Sequence, residues 1–537
     1  MSIAGRGCIA LLIMTWSACT HSTTSSAAPP LPPAKLGFVE QPISSQLGHP
    51  VAVWVAIQDS SGATVDTAAR TVTLALGANS ANGNLLGTTT ANALGGIAVF
   101  PNLRIDRFGT GFTLAARSAS LEGATSLAFD VLPLPVARVF LSAGAFNTCG
   151  VALAPAAYCW GDNRFGQLGD SANADTASPA AVRGGLSFAA IGGDAAGSHR
   201  CGVTAAGAAY CWGSNAYGEL GDGSDTNRAT PVAVAGGLTF AMVNTGGGSN
   251  TCGITTTGKA YCWGINYTGQ LGIGTTTGPE DCSGNPCSMT PVAVAGGFSF
   301  TTISVGNGHT CALAVSGAAY CWGPNRTGQL GVGSNAEPQQ CAYGYSCSPT
   351  PMLVVGGLTF ATVSAGIGYT CGVTTAGATY CWGYNATGQL GDGTTTEQDS
   401  PVVVGGGLTF VLVTTGGDRG GYGHACALTS LGAAYCWGAD ETGQLGIGSY
   451  GYTFSPTPVP VTGGHTFVAI TAGSNDNGFD GQAHTCGVTT GGMAYCWGDN
   501  SHGQLGVGTN TGPQTCVISD PCSTIPVAVV GRLDFGQ

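Results

Sequence analysis

Lys259-Ala-Tyr-Cys-Trp-Gly-Ile-Asn-Tyr-Thr-Gly-Gln-Leu-Gly272 decides the reading of this 537-residue chain, because close copies of it recur from residue 136 onward. Tyr-Cys-Trp-Gly begins at Tyr158, Tyr210, Tyr261, Tyr320, Tyr380, Tyr435 and Tyr495, each time followed by a variant of Asn-x-x-Gly-Gln-Leu-Gly. The cysteines of successive copies are 52, 51, 59, 60, 55 and 60 residues apart. That period suits one four-stranded propeller blade and is too long for the rung of a solenoid. Within one period four short apolar segments alternate with glycine-rich turns, for example 231–234, 240–243, 251–255 and 259–263. Radial stacking of such sheets buries both faces of each and leaves only short edges, so residues 136–537 are expected to form a seven-bladed β-propeller. Segments opening with proline precede the phrase in repeats two to seven, at Pro179, Pro231, Pro291, Pro351, Pro401 and Pro458. The first repeat, starting at 136–141, has none, whereas Pro526 opens such a segment with no phrase behind it. The C-terminal strand is therefore expected to return and complete blade 1.

These phrases resemble the regulator-of-chromosome-condensation repeat family, over about three quarters of the chain. The resemblance implies a seven-bladed propeller. Departures are Glu219 in place of glutamine in repeat two and Asp440 in place of asparagine in repeat six. No active-site residue carries over, because the nucleotide-exchange activity of the family depends on loops particular to certain members.

Twenty cysteines lie in the repeat region and sort by spacing. Seven pairs have nine residues between them: Cys149 with Cys159, Cys201 with Cys211, Cys252 with Cys262, Cys311 with Cys321, Cys371 with Cys381, Cys426 with Cys436 and Cys486 with Cys496. A hairpin turning midway sets such residues opposite each other at disulfide distance. In six repeats a glycine (Gly207, Gly258, Gly317, Gly377, Gly432, Gly492) lies four before the second cysteine, where a three-residue loop needs a left-handed backbone; repeat one has Pro155 there. Cys282 with Cys287, Cys341 with Cys347 and Cys516 with Cys522 fall inside insertions and read as loop staples. Zinc is the competing reading and is set aside, since repeats spaced blade by blade do not converge four thiolates on one ion. An oxidising compartment follows.

Upstream, one charge at Arg6 and an apolar run at 9–16 read as an export signal too short to cross a bilayer. Trp16-Ser-Ala-Cys19 resembles the bacterial lipoprotein cleavage box, which makes 1–18 a signal peptide and Cys19 the lipidated first residue, although Trp16 stands where leucine is usual. Cleavage after Ala28 is the alternative. Residues 19–34, rich in Ser, Thr, Ala and Pro, read as a flexible tether. Residues 35–133 alternate like the strands of a β-sandwich and resemble bacterial extracellular immunoglobulin-like domains, with Trp54 expected in the core and a spacer role.

Composition excludes several function classes. Glycine supplies 91 of 537 residues, more than twice the usual share of roughly 7%, which argues against a helix-rich enzyme. Fifteen Lys+Arg against 27 Asp+Glu, a net charge of −12, exclude a nucleic-acid partner, which needs clustered cations. Gly221-Asp222-Gly223 lacks the Lys-Ser/Thr of a phosphate loop. Asp222 and Asp392 suggest calcium only superficially, and a solvated turn is preferred. Two residues before each first cysteine stand Asn147, His199, Asn250, His309, Tyr369, His424 and His484. Four histidines there invite a metal reading, but only His424 and His484 fall on neighbouring blades, so a repeated hydrogen-bonding role is expected. The tryptophans at 160, 212, 263, 322, 382, 437 and 497 are expected to pack between blades.

Binding candidates are the aromatic residues of the insertions: Tyr343 and Tyr345, then Tyr450, Tyr452 and Phe454, then Phe479. The expected function is an exported, surface-anchored scaffold that recognises a protein or glycan, without catalysis, cofactor or metal, touching a membrane only through its lipid anchor. Its location would be the outer membrane or cell surface, failing that the periplasm or medium. One alternative is an inhibitor of a periplasmic or extracellular enzyme, since secreted bacterial proteins resembling this family inhibit β-lactamases through one propeller face. Another is guanine-nucleotide exchange on a small GTPase, implied by the resemblance alone and opposed by export.

Overall fold

The computed structural model describes residues 31–46, 51–78, 83–105, 109–132, 141–152, 156–193, 198–333, 339–341, 344, 346–418, 420–451, 453–475, 482–516, 520–531 and 533–535. The expected signal peptide, Cys19 and most of the tether lie outside them. All regular structure described is β apart from one-residue turns, and no helix among the described residues is long and apolar enough to cross a membrane.

Val51–Gln58 sets the pattern of the N-terminal unit. Val51, Val53 and Val55 are buried while Ala52 and Trp54 face outward, the two-residue alternation of a half-buried strand. This strand pairs with Lys35–Glu40 and Ile97–Ile105 in one four-stranded sheet. Thr71–Leu76 and Leu114–Arg117 centre a second. Val53, Phe100, Leu74, Phe112 and Phe129 share one core between the sheets. Trp54 is not in that core and is 45% exposed. Its even-numbered place on the strand turns it to solvent, and Phe100 and Phe112 fill the space instead.

In blade 1 the strands Leu141–Ala143, Asn147–Val151, Ala157–Gly161 and Thr176–Ala181 pair antiparallel in chain order. The six further blades span 188–233, 240–293, 300–353, 360–403, 412–460 and 467–528. Short strands add to the outer edge of three blades at Glu280–Cys282, Gln339–Gln340 and Gln514–Thr515.

Each seam buries the same set. Between blades 1 and 2 the cystine of Cys149 and Cys159 meets, together with Leu168, the side chains of Phe188, Ile191 and Trp212 from the next blade. All seven repeat tryptophans are fully buried. Each donates its indole N–H across the seam to the carbonyl of the Gln, or Glu219, in the preceding blade's phrase, at 2.8–3.1 Å. The glycine ending that phrase must be bare: a Cβ on Gly391, whose φ is +70°, would lie 2.7 Å from Trp437 Nε1. Thus the two halves of the repeated phrase recognise each other between blades.

The blade boundary differs from the expectation. The proline-led segment follows its phrase within the same sheet, so Tyr210 pairs with Ala233 and Tyr495 with Ala528. Pro521–Ala528 is therefore the outer strand of blade 7, not the missing strand of blade 1. The ring closes by the contacts every other seam uses. Trp160 Nε1 donates to Gln504 O at 2.9 Å and Gly508 N to Ala177 O at 2.8 Å. The tail beyond still reaches blade 1, with Val529, Leu533 and Phe535 in the cluster that holds Leu141 and Trp160. Phe535 is buried against Trp160, with ring centroids 6.3 Å apart, and its N–H donates to Gly492 O at 2.9 Å. It occupies the slot that Phe240, Phe300, Phe360, Phe410 and Phe467 fill at other seams, where the same N–H bonds the hairpin glycine.

All twenty repeat-region cysteines are joined in the pairs that the spacing predicts. Within the blades Cys149 is bonded to Cys159, Cys201 to Cys211, Cys252 to Cys262 and Cys311 to Cys321. Cys371 is bonded to Cys381, Cys426 to Cys436 and Cys486 to Cys496 in the remaining three. The partners of each blade pair face each other in register on adjacent strands, their Cα atoms 4.0–4.1 Å apart. In the insertions Cys282 is bonded to Cys287, Cys341 to Cys347 and Cys516 to Cys522, each bridge tying a short edge strand to its blade. The six hairpin glycines have φ between +78° and +82°, the left-handed backbone the loop requires.

Candidate binding face of the propeller

The fixed positions of the repeated phrase are tied inward, and on blades 2 to 5 a residue beside them is left at least partly exposed. Asn266 is buried; its Oδ1 accepts Leu271 N at 3.0 Å, and its Nδ2 donates to the carbonyls of Thr275 and Thr277 at 3.0 and 2.6 Å. Gln270 Oε1 accepts both Thr268 N and Thr268 Oγ1, at 2.8 and 2.7 Å. Asn215, Asn325 and Asn385 take the same bond from Leu220, Leu330 and Leu390. Inside or beside the phrase, Tyr217, Tyr267 and Tyr384 are half-buried and Arg326 is exposed.

On blades 2 to 6 these side chains, with the loops joining first and second strands, wall an open cavity of about 810 Å³. Tyr217, Tyr267, Tyr384, Arg326, Asn285 and Asn307 are among its lining residues, and Gly248, Gly308, Gly368, Gly420 and Gly421 bring backbone to it. Thr327 Oγ1 donates to Gly368 O at 2.8 Å and Gln389 Nε2 to Gly421 O at 3.3 Å, so neighbouring blades brace the rim. Asp, Glu, His, Lys and Cys are missing from the described lining. A second cavity of about 300 Å³ runs along the axis, lined by the first strands of all seven blades, with Ile191, Val243, Ile303, Val363, Val413 and Ile470 among the residues.

Of the aromatic residues expected to bind, Tyr450 and Phe454 are 47% and 48% exposed, but neither lines this cavity. Tyr343, Tyr345, Tyr452 and Phe479 lie outside the described residues. The cavity tyrosines and Arg326 were passed over because they sit within the phrase, where a structural motif masks them. The available signal was that the residues just before and just after the Asn of Asn-x-x-Gly differ from blade to blade while Gly-Gln-Leu-Gly is nearly constant.

The four histidines hold the ring together. His199, His309, His424 and His484 place Nε2 2.7–2.9 Å from Thr251, Thr370, Thr485 and Thr148 of the following blade. Each threonine donates its own hydrogen to the Gln or Glu219 carbonyl of the first blade, so the histidine must be the donor. Burial lowers all four imidazoles to about 3, leaving them neutral. Asp222 and Asp392 accept from Ser224 and Thr394 in their own turns. Asp162, Asp175 and His502 cluster at the seam of blades 7 and 1, but the Arg164 guanidinium grips Asp162 at 2.9 and 3.0 Å, where a cation would need to sit.

Both departures from the repeat phrase are buried carboxyl groups. Burial raises Glu219, which accepts Tyr217 N at 2.7 Å beneath the cavity, from 4.5 to about 7, and Asp440 from 3.8 to about 7. Between these limits the unfolded chain gives up a proton that the folded chain keeps, so stability falls as pH rises through that window and stays lower above it. Glu219→Gln should therefore leave stability unchanged near pH 4 and raise it by about 3 kcal/mol at pH 8. Thermal denaturation of both forms across pH 4–8 checks this; a constant difference would refute it.

Comparison with known proteins bears on most of the ring. The family described as "Regulator of chromosome condensation (RCC1) repeat" matches residues 206–252, 257–313, 316–373, 376–428 and 432–476, and a second description of the repeat matches 300–329 and 481–504. The chain is 28% identical over 392 residues to the ultraviolet-B receptor UVR8 of Arabidopsis thaliana, covering 72% of this chain and 82% of that one. It is 29% identical over 386 residues to the human E3 ubiquitin-protein ligase HERC2, of which it spans only 7%. Among solved structures, Prp20p of Saccharomyces cerevisiae superposes with a TM-score of 0.55 at 18% identity, over 71% of this chain and 87% of that one. Human WBSCR16 gives 0.54 at 18%, over 65% and 86%.

Proposed function

Because the chain belongs to the regulator of chromosome condensation (RCC1) repeat family, we propose that it is a non-catalytic binding scaffold, exported to an oxidising compartment and held at a surface through Cys19. The cavity on blades 2 to 6 carries the reading. Its walls include variable side chains of the repeat, and tyrosine beside asparagine and bare backbone is the composition of recognition surfaces. Ten cysteine pairs support the compartment. The absence of a nucleophile–base pair from the described lining supports binding over turnover. In this arrangement residues 19–34 act as tether and the N-terminal sheets as spacer.

Proximity labelling on intact cells, using the full chain and a variant carrying both Tyr267→Ala and Tyr384→Ala, tests both parts. Neighbours should belong to the cell envelope or medium and be lost with the variant while its thermal stability is unchanged. Cytosolic neighbours would reject export, and neighbours retained by the variant would move the binding surface elsewhere.

A further inference from the structure

Resting on the binding role proposed for this face, we propose that the cavity takes an acidic oligosaccharide, its carboxylate held by Arg326 and its sugar rings laid on Tyr217, Tyr267 and Tyr384. Size supports a compact ligand: about 810 Å³ lies within the roughly 300–1,000 Å³ of small-ligand sites, whereas a globular partner reads a broad surface. Chemistry narrows the class. A pyranose has an apolar C–H face and a rim of hydroxyls. Tyrosine rings accept the first, and the hydroxyls need short polar groups, which Asn285 and Asn307 provide beside open glycine backbone.

The charge follows from contrast. In a chain with 27 acidic residues and a net charge of −12, the described lining holds no carboxylate and one guanidinium. A guanidinium matches a carboxylate with two parallel hydrogen bonds. The Glu219 carboxyl beneath the cavity is raised to about 7 by burial and stays protonated below that pH. Exposed charges farther than about 8 Å are screened at physiological salt, so below about pH 7 the Arg326 guanidinium sets the local charge. One cation also fits a sugar acid better than a polyphosphate, which calls for several.

Titration calorimetry on the full oxidised chain can decide, with trigalacturonate and sialyl-lactose, each beside its methyl ester, which keeps the sugars and removes the charge. At least one acid should bind about tenfold or more tighter than its ester. Arg326→Gln should bring the acid down to the ester and leave the ester unchanged, whereas Tyr267→Ala should weaken both. Equal affinity for acid and ester, or indifference of the acid to Arg326→Gln, overturns the proposal. So does failure of all four probes to bind. If the labelled neighbours nonetheless depend on Tyr267 and Tyr384, and a purified protein among them binds directly, the face keeps its role and its ligand is a protein instead.

Discussion

Trp382→Ala is expected to cost about 3–5 kcal/mol of propeller stability, the range for removing a fully buried large aromatic. The side chain sits in the seam between blades 4 and 5 against Leu330, Phe360 and the cystine of Cys311 and Cys321, and its indole N–H donates to Gln329 O at 2.9 Å. Truncation opens a cavity that neither sheet can close without sliding, because Thr370 still ties the two blades through His309 and the same carbonyl. Trp54→Ala provides the contrast: its ring is nearly half exposed, so the change should stay within about 0.5 kcal/mol. Calorimetric unfolding of both variants checks the pair. Similar losses in the two would mean that the repeat tryptophans do not carry the seams.

Reduction of the cystines should have a still larger effect, confined to one part of the chain. Each blade bridge joins residues ten apart in sequence, a small ring worth a little under 3 kcal/mol in the chain-entropy account. Seven such rings amount to more than the roughly 5–15 kcal/mol by which a typical domain is stable. The sulfurs are buried, so reductant alone should act slowly and reductant with mild denaturant quickly. The N-terminal sheets contain no cysteine and should keep their transition when the propeller loses its own. Calorimetry with and without a phosphine reductant, with alkylated thiols counted by mass, tests this; a propeller transition that survives complete alkylation would refute it.

Blade number and cysteine pairing were legible in the sequence because both rest on local spacing: nine residues between cysteines fold one way around a glycine with positive φ. Blade phase was not. A cyclic repeat carries no mark of where one sheet ends, and the proline-led segment lies between two phrases with equal claim to it. Hydrogen bonding of Tyr210 to the strand after it, rather than any pattern of residue types, assigns that segment. Trp54 was misread for a similar reason, since size suggested a core place and strand parity denied it. At the candidate site, aromatic insertions drew notice by interrupting the repeat, whereas Tyr217, Tyr267 and Arg326 were hidden inside it. Glu219 and Asp440 were visible as departures, but their burial became apparent only with neighbouring blades in place.

Every cystine joins residues ten or fewer apart, and none joins one blade to another. Under a pulling force the covalent locks would therefore keep short hairpins knotted while the sheets peel apart at their tryptophan seams. The extension trace should show a ladder of separate events, each shorter than a blade's contour length by the sequence its locks withhold. Heat should act along the same lines of weakness, so a protease would sample opened junctions before it reached the sulfur-bound loops.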